Sequence, residues 1–315
     1  MTSSPDSAAP VVVVFAPCSV VTVAVEIVDA CAEVHFTAGG QGVQVARMAA
    51  ALGADPVLCT ACGGEPGRVF RLLLAEEPGI ARWVSAGQTQ VDLQVRRDGH
   101  RHDVLRTWPT PLDRHSIQVL YRTTLTAASS AAACVLTDGP AGAKVPPEVF
   151  HRLAADLRGI GVPVVADATG DALSQAAAGG ATVVKTSDLE LLADRRVADL
   201  SRRAVVEAMQ ALRDEGAGQV VVARDDGSAL ALADENLVEV HGPQLPAPEP
   251  LGSGDAITAS LAVSLARGQP FEVALRNAYA AGVTDVTGPG SGKHPSASLA
   301  ALAGVATLTS TPVSG

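Results

Sequence analysis

Short apolar blocks alternate with longer amphipathic segments throughout the second half of the chain. The blocks are rich in β-branched residues and follow one another as "AACVLTDG", "VPVVADAT", "ATVVKTS" and "GQVVVARDDG". Their length and continuous hydrophobicity are typical of strands that are buried on both faces. The segments between them, "PPEVFHRLAADLRGIG", "GDALSQAAAGG" and "LSRRAVVEAMQALRDEG", predict helices. Repeated strand-then-helix units predict right-handed crossovers and a mainly parallel sheet covered by helices on both faces.

The first half contains fewer but similar units. The run "VVVVFAPCSVVTVAV" predicts a buried strand, and "AGGQGVQVARMAAALGADP" predicts a glycine turn followed by a helix over residues 43–52, which Gly53 closes. The segment "VLCTACGG" predicts a strand and "EPGRVFRLLLAEEPG" a helix. Because ligands of such sheets collect at the carboxyl ends of the strands, Asp138, Asp167 and Lys185 lie where chemistry is expected.

A hairpin interrupts this α/β pattern. Residues 89–105 alternate apolar and polar on the first arm and turn at Asp98-Gly99, which is typical of a hairpin with one wet face and a candidate lid. No composition break divides the chain. We therefore predict a disordered tail over residues 1–10 and one three-layer α/β/α domain over 11–315, with a small β-hairpin lid formed by elements around 11–35 and 88–108.

Composition narrows the class of protein. The chain has 315 residues, of which 47% are hydrophobic, enough for a sizeable core. Its net charge of −10 argues against a nucleic-acid partner, which requires a cationic face. The N-terminus lacks the basic segment of a secretory signal, and the first apolar run is shorter than the roughly 18 residues of a membrane span. Five cysteines, an odd number, favour the reducing cytoplasm.

Two motifs suggest metal sites but have simpler explanations. Cys59 and Cys62 have the C-x-x-C spacing, but no second pair is present, so we predict buried structural cysteines. His100 and His102 lie beside the predicted hairpin turn, where solvated side chains are expected.

Glycine-rich turns offer candidate phosphate sites. "TGPGSGK" fails the P-loop spacing because a histidine follows its lysine. In "LGSGD", Gly252 and Gly254 permit positive φ, and the N–H groups of the following helix would attract a phosphoryl group. Asp255 would then be placed to take a proton from an attacking hydroxyl. Alternatively, Asp255 is only an N-cap, which is worth about 1 kcal/mol.

Four segments together resemble a known family. "AGGQGVQVARMAAALGADP", "GIGVPVVADATGDAL", "VVKTSDLELL" and "LGSGDAITASLAVSLARG" are similar, in order and spacing, to the PfkB (ribokinase-like) carbohydrate kinases. The nearest type is that of 1-phosphofructokinase and tagatose-6-phosphate kinase. The resemblance extends from about residue 11 to about 295. It implies a ribokinase-like three-layer fold and ATP-dependent phosphoryl transfer to a hydroxyl.

The resemblance also implies residue roles. Asp255 corresponds to the catalytic base, and the N–H groups of Gly252, Ser253 and Gly254 would form the anion hole. Glu190 survives from the motif K-P-N-x-x-E and would organise Mg²⁺ through water, while the asparagine has become Ser187. Residues predicted to bind the nucleotide are Lys185, Ser187, Arg224, Gly227 and Asn277. A small-molecule acceptor, ATP and Mg²⁺ are the implied partners, with a homodimer through the lid by analogy.

The substrate side departs from the family. Val20 stands where relatives have a sugar-binding aspartate, Gln41 replaces a lysine, and Gln90 and Asp92 replace an arginine and an asparagine. The residues expected to face the acceptor are Gly39, Gly40, Gln41, Gln44, Gln90 and Asp92. Each lost charge-assisted hydrogen bond removes roughly 1.5–3 kcal/mol, so a phosphosugar is expected to bind poorly.

Two compensations are open. The hairpin arginines at positions 96, 97, 101 and 106 could replace the lost charge, or the glutamines could bind a neutral polyol or nucleoside. On the nucleotide side, Asp225 stands where a glycine is usual, which is unfavourable near ATP unless Mg²⁺ or Arg224 offsets it. Three hypotheses follow: an active kinase with a changed acceptor, a degenerate kinase fold that binds a small molecule and regulates, or an unrelated enzyme such as a nucleotide-binding oxidoreductase. The chain lacks the G-x-G-x-x-G fingerprint that the last hypothesis would require.

Overall fold

The computed structural model describes residues 8–28, 31–97, 100–139, 145–242, 253–287 and 296–312. Within these ranges the strands form a ten-stranded sheet and a separate four-stranded sheet. The strands are β1 (Val11–Ala16), β2 (Val20–Val28), β3 (Cys31–Gly39), β4 (Asp55–Cys62), β5 (Ile80–Ser85), β6 (Gln90–Arg97), β7 (His100–Arg106), β8 (Ala133–Thr137), β9 (Val164–Asp167), β10 (Val183–Ser187), β11 (Gln219–Ala223), β12 (Ala229–Ala233), β13 (Asn236–His241) and β14 (Thr307–Pro312). The helices are α1 (Gln41–Ala51), α2 (Gly64–Leu74), α3 (Arg114–Ala128), α4 (Glu148–Gly159), α5 (Gly170–Ala178), α6 (Asp188–Ala193), α7 (Arg202–Glu215), α8 (Ser253–Ala266), α9 (Phe271–Thr287) and α10 (Ser296–Val305).

The large sheet has the order β14-β13-β12-β11-β10-β9-β8-β1-β4-β5. Every pairing from β11 to β5 is parallel, whereas β12, β13 and β14 extend the sheet antiparallel. The parallel strands are the continuous apolar runs of the sequence, as expected for strands covered on both faces. The prediction of a mainly parallel sheet is therefore confirmed.

Helices cover both faces of this sheet. Alternate residues of β1 enter different cores: Val13 and Phe15 pack with α3, α4, α5 and α7, whereas Val12 and Val14 pack with α1, α2, α8 and α9. This alternation follows from the two-residue period of a strand. Because both layers are required to bury the strand, the carboxyl ends of the strands are the exposed place where side chains can meet a ligand.

The lid is larger than a hairpin and begins later than predicted. Strands β6 and β7 form the expected antiparallel hairpin, although its turn, Asp98-Gly99, lies outside the described residues. Strands β2 and β3 join them in the order β3-β2-β6-β7. The predicted lid element around 11–35 is wrong at its start, because β1 lies between β8 and β4 in the large sheet. A strand as apolar as β1 needs cover on both faces, which a lid cannot provide.

Several local predictions can be compared with the structure. The helix predicted over 43–52 begins two residues earlier, and Gly53 follows it with φ +79°. Cys59 and Cys62 are buried, and burial raises the pKa of both thiols, that of Cys59 to about 11. His102 is exposed. The described residues contain no group of three or more His, Cys, Asp and Glu side chains placed to hold a metal.

The predicted tail falls mostly outside the described residues, which start at residue 8. None of the helices in the described ranges is both long and apolar enough to cross a membrane.

Candidate active site

A buried ion pair lies at the carboxyl ends of two neighbouring strands. Asp167 ends β9, and Lys185 is its partner in the parallel register of β10. The Lys185 Nζ atom lies 3.1 Å from Asp167 Oδ1 and 3.3 Å from Oδ2, and both side chains are almost completely buried. The position of Asp167 at the end of its strand, and of Lys185 two residues before the end of β10, is the signal from which the sequence predicted chemistry here.

The first two turns of α8 pack onto this ion pair. Thr258 Oγ1 lies 2.5 Å from Asp167 Oδ2 and 3.0 Å from the carbonyl oxygen of Gly254. A Cβ atom on Gly254 would lie 2.9 Å from Lys185 Nζ, so the missing side chain lets the ammonium approach the helix backbone. Gly254 does not adopt the positive φ that a glycine permits. Close approach, rather than left-handed backbone, is the reason for glycine at this position.

Asp255 lies within the helix, not before it. Helix α8 already includes Ser253, so Asp255 is in its first turn and the N-cap interpretation is wrong. Gly252 lies outside the described residues. A carboxylate in the first turn is favoured by the helix dipole. The structure thus brings Ser253, Gly254 and Asp255 together with Lys185, although Thr258, which completes the contact, was missed. Its spacing of three residues from Asp255, which places the two on one side of the helix, was the available signal.

The Lys185 ammonium is surrounded by carboxylates. Burial alone would lower the pKa of Lys185, but the charges of Asp167, Glu190 and Asp255 outweigh it, so this pKa is raised. Lys185 is therefore a permanent cation in the site. The charge of Lys185 offsets that of Asp167 and also acts on Asp255. It therefore lowers the electrostatic cost of a carboxylate at a helix start that lies beside other acids.

Asp138, at the end of β8, adds another carboxylate. Its Oδ2 atom accepts hydrogen bonds from both the backbone N–H and the hydroxyl of Thr169, each at 2.8 Å. Burial raises the pKa of Asp138 to about 6; the Thr169 hydrogen bonds oppose this, and the charges of Asp167 and Glu190 add to it. Asp138 therefore lies close to the ion pair and is ionised at neutral pH.

The raised pKa of Asp138 predicts a pH-dependent stability. Because the folded pKa exceeds the unfolded value of 3.8, the stabilising contribution is complete below pH 4 and is lost as the pH rises to about 6. Replacing the carboxylate in Asp138→Asn should therefore stabilise the protein above pH 6, by about 2–3 kcal/mol, and hardly at pH 4. Urea unfolding in metal-free and nucleotide-free buffer at both pH values measures this difference.

A control with the opposite sign is available on α3. Hydrogen bonds from Ser116 lower the pKa of Asp113, the N-cap of that helix. Asp113→Ala should therefore lose stability above pH 4 relative to the unmodified chain. An Asp138→Asn effect that is constant from pH 4 to pH 8 would contradict the assigned ionisation.

The start of α1 approaches the same place. Gly40, the N-cap, has φ +96°, and a Cβ on Gly39 would lie 2.7 Å from Thr22 Oγ1. The Gln41 Nε2 atom is 3.5 Å from the carbonyl oxygen of Asp167, so this side chain reaches the ion pair. In contrast, Gln44 accepts a hydrogen bond from Arg47, which binds Glu77 on the α2 side. Gln41 and Gln44 were both predicted to face the acceptor molecule. The structure brings Gln41, but not Gln44, to the ion pair.

The lid contributes a polar face. Gln90 Nε2 donates to Asp92 Oδ1 at 2.6 Å, and Arg106 Nε lies 3.2 Å from the same oxygen. Burial raises the pKa of the Cys18 thiol to about 12, and the charges of Asp138 and Asp92 add to it, so both carboxylates lie near Cys18. Arg101 is likewise paired, with Asp103 at 2.8 Å. Two of the four arginines considered as replacements for the lost cations are thus already bound to carboxylates.

Residues predicted on the nucleotide side form a second group. Ser187 and Glu190 make a capping box at the start of α6: each side chain binds the backbone N–H of the other residue. Glu190 Oε2 also accepts from Thr186. These bonds fix the Glu190 carboxylate at the carboxyl end of β10, and they give the serine that replaced asparagine a structural function.

Arg224 points into the protein. Its Nε atom is 3.6 Å from the buried Asp188 carboxylate, and one terminal nitrogen donates to the carbonyl oxygen of Leu200. Asp188, which the sequence analysis missed, also accepts from the backbone N–H of Asp225. Gly227, with φ +80°, closes the turn after β11. Arg224 is therefore held away from a ligand.

Asn277 is not near the other predicted residues. Its amide lies 3.2 Å from Gln269 Oε1 and 3.5 Å from Ser264 Oγ, at the C-terminal end of α8. At about 1.5 Å per residue, Ser264 is roughly 13 Å along the helix from Asp255. Asn277 therefore joins α8 to α9, and the structure does not bring it to the catalytic turn.

The chain is similar to known proteins over most of its length. The profile of the pfkB family carbohydrate kinases matches residues 13–297. The ATP-dependent 6-phosphofructokinase isozyme 2 of Escherichia coli K12 is 28% identical over 259 residues, covering 80% of this chain and 82% of that protein. The 1-phosphofructokinase of Rhodobacter capsulatus is 28% identical over 289 residues, covering 88% and 89%.

The fold is also found among solved structures. A possible 1-phosphofructokinase of Thermotoga maritima superposes with a TM-score of 0.82 at 15% identity, covering 96% of this chain and 99% of that one. The predicted ribokinase-like fold and the predicted enzyme class, a carbohydrate kinase, are both confirmed. This chain belongs to the pfkB family of carbohydrate kinases.

Proposed function

We propose that the protein transfers the γ-phosphoryl group of ATP to a hydroxyl of a sugar-like small molecule. The observation that carries this proposal is the packing of the α8 first turn, with Gly254 and Asp255, onto the buried Lys185–Asp167 pair. A helix N-terminus, a fixed cation and a carboxylate then converge at the carboxyl ends of β9 and β10. These are the groups that phosphoryl transfer requires for positioning and charge stabilisation.

Each residue has a chemical role in this proposal. Asp255 takes the proton of the acceptor hydroxyl as its oxygen attacks phosphorus. The backbone N–H groups at the start of α8, those of Ser253 and Gly254 among them, stabilise charge on the migrating phosphoryl group. Lys185 supplies a permanent positive charge beside them, and Thr258 donates a hydrogen bond from α8 to Asp167 so that the turn is held in place.

The acidic surroundings suit Mg²⁺. This ion keeps several of its waters and binds through one or two carboxylates together with substrate phosphates. Glu190 is fixed by its capping box, and its charge acts on both Asp138 and Lys185, so a hydrated cation beside it would be attracted. We propose that Glu190 holds Mg²⁺ through water. When bound, the ion neutralises charge on the phosphates.

Phosphate transfer to a panel of acceptors tests this function. We expect ATP consumption, in the presence of Mg²⁺, with at least one member of a panel of sugars, polyols, nucleosides and phosphosugars. Because Gln41, Gln90 and Asp92 stand where relatives carry other side chains, phosphosugars should be poor acceptors. If none of these acceptors stimulates ATP consumption above the rate in their absence, the proposed activity is excluded.

A second candidate function is that of a small-molecule-binding or regulatory protein built on a kinase fold. The observation that favours it is on the nucleotide side, where Arg224 is bound to Asp188 while Asp225 and Asp226 are exposed on the turn. Two carboxylates beside a triphosphate are unfavourable. Thermal stabilisation by an acceptor but not by ATP with Mg²⁺ would support this alternative, since ligands that bind the native state stabilise it.

We also propose that the protein works in the cytoplasm as a homodimer joined through its lids. All five cysteines are free thiols. On the lid, Val34, Phe36 and Leu105 are more than half exposed, and the strand register places them on one face. An exposed apolar face of this kind is typical of a protein interface. Light scattering of the purified chain measures the mass that this proposal predicts.

A further inference from the structure

The polar face of the lid has an excess of hydrogen-bond acceptors. Gln90, Asp92 and Gln94 alternate along β6 and therefore point to the same side of the sheet. Gln90 is 1% exposed and Gln94 is 4% exposed, yet the Oε1 atom of each is buried and accepts no hydrogen bond. Buried polar atoms are nearly always hydrogen-bonded, so these two oxygens call for donors.

The orientation of the Gln90 amide is fixed by its neighbour. Its Nε2 atom donates to Asp92 Oδ1 at 2.6 Å. Exchanging the amide nitrogen and oxygen would put two acceptor oxygens in contact, so the carbonyl oxygen must be the atom that lacks a donor. A ligand at this place is therefore required to donate hydrogen bonds.

Asp138, at the end of β8, lies near this face of the lid. The charges of Asp92 and Asp138 both act on Cys18, and Gly139 packs so closely on Cys18 that a Cβ would lie 2.7 Å from its Cβ. Asp138 also interacts with Asp167. It therefore lies near the catalytic ion pair and also near Cys18, whose neighbour Ser19 accepts a hydrogen bond from the Gln90 backbone N–H at 3.2 Å.

The charges in this space favour a cation. Among the described residues the cations here are Lys185 and Arg106, and each is paired with a carboxylate, Asp167 and Asp92 respectively. Asp138, in contrast, accepts its hydrogen bonds from the uncharged groups of Thr169. The excess negative charge of Asp138 would repel an anionic acceptor molecule and attract a protonated amine.

We propose that the acceptor is an amino sugar or amino cyclitol, whose protonated amine binds between Asp138 and Asp92 and whose other donors reach Gln90 and Gln94. This inference rests on the proposed function, because it assigns the substrate class of the same site. It differs from binding of a neutral polyol in requiring a charge, and from binding of a phosphosugar in the sign of that charge.

Matched pairs of ligands test the proposal. The probes are D-glucosamine against D-glucose, D-galactosamine against D-galactose, 2-deoxystreptamine against myo-inositol, and fructose 6-phosphate as the anion. Binding is measured by calorimetry without nucleotide, and transfer by ATP consumption with Mg²⁺. We expect the amine of a pair to bind about tenfold to one-hundredfold more tightly than its neutral partner. Asp138→Asn should reduce this preference at least about fivefold, whereas the surface substitution Asp214→Asn should not.

The outcomes separate the two proposals. Amine-selective binding without phosphate transfer would refute the kinase activity and support the binding site. Equal binding within every pair, or tighter binding of fructose 6-phosphate that Arg106→Gln abolishes, would overturn the amine proposal even if transfer occurs. Failure of all three amines to bind at about 10 mM, a concentration that detects millimolar Kd values, would also overturn it.

Discussion

Replacing Asp255 by asparagine should reduce phosphate transfer by about 10²- to 10⁴-fold, the usual contribution of a general base. The amide has the same shape but cannot accept the hydroxyl proton, so turnover should fall while ATP binding persists. Because Asp255 lies in the α8 first turn and interacts with Lys185, the substitution changes one charge without altering the packing of Gly254 on the ion pair. Initial rates and calorimetric binding of ATP, each with Mg²⁺, measure the two effects.

A matched control is Asp214→Asn on the outer surface of α7, which should leave the rate unchanged. Turnover by Asp255→Asn that equals that of the unmodified chain would exclude Asp255 as the base. A parallel loss of ATP binding would indicate instead that the carboxylate supports the nucleotide site, because removal of a group that acts in the transition state alone leaves binding intact.

Breaking the buried ion pair should have the largest effect on stability. Lys185→Met leaves the Asp167 carboxylate buried without its counter-charge, which costs about 3–5 kcal/mol of unfolding free energy. The remaining hydrogen bond from Thr258 cannot replace a full charge. Equilibrium unfolding in urea measures the loss at neutral pH.

Removing both partners should restore much of this loss. The double variant Lys185→Met with Asp167→Leu replaces two buried charges by apolar groups of similar size, a change that is often neutral for stability. Arg203→Met provides a surface control, since its pairing with Glu207 is exposed and the unfolding midpoint should hardly change. Equal stability of Lys185→Met and the unmodified chain would show that Asp167 and Lys185 do not form an ion pair.

Much of the fold could be predicted because the parallel strands carry their own signature. Strands β1, β4, β8, β9, β10 and β11 are short apolar runs that any neighbour would have to bury on both faces. The lid could not be predicted in the same way. All seven residues from Cys31 to Thr37 in β3 are exposed, so the segment has no core-facing period, and its strand state depends on pairing with β2. Helix α6 has only six residues, too few for a clear apolar period, and its start is defined by the Ser187–Glu190 capping box.

Some features of the candidate site follow from the sequence, and others follow only from the tertiary structure. The sequence alone determined the glycine turn with Asp255 and the polar residues at strand ends, because these depend on local spacing. Only the tertiary structure decided that Lys185 pairs with Asp167 and that Thr258 joins them, since strand register and helix packing bring together residues far apart in the chain.

Tertiary contacts also decided which predicted residues stay away from the site. Arg224 turns inward because Asp188 and the Leu200 carbonyl bind it, and Asn277 holds the far end of α8. On the lid, the alternation of β6 was visible in the sequence, but the burial of Gln90 beside Asp92 was not. Local spacing specifies which groups are available; burial and pairing across the fold decide which charges and donors remain for a ligand.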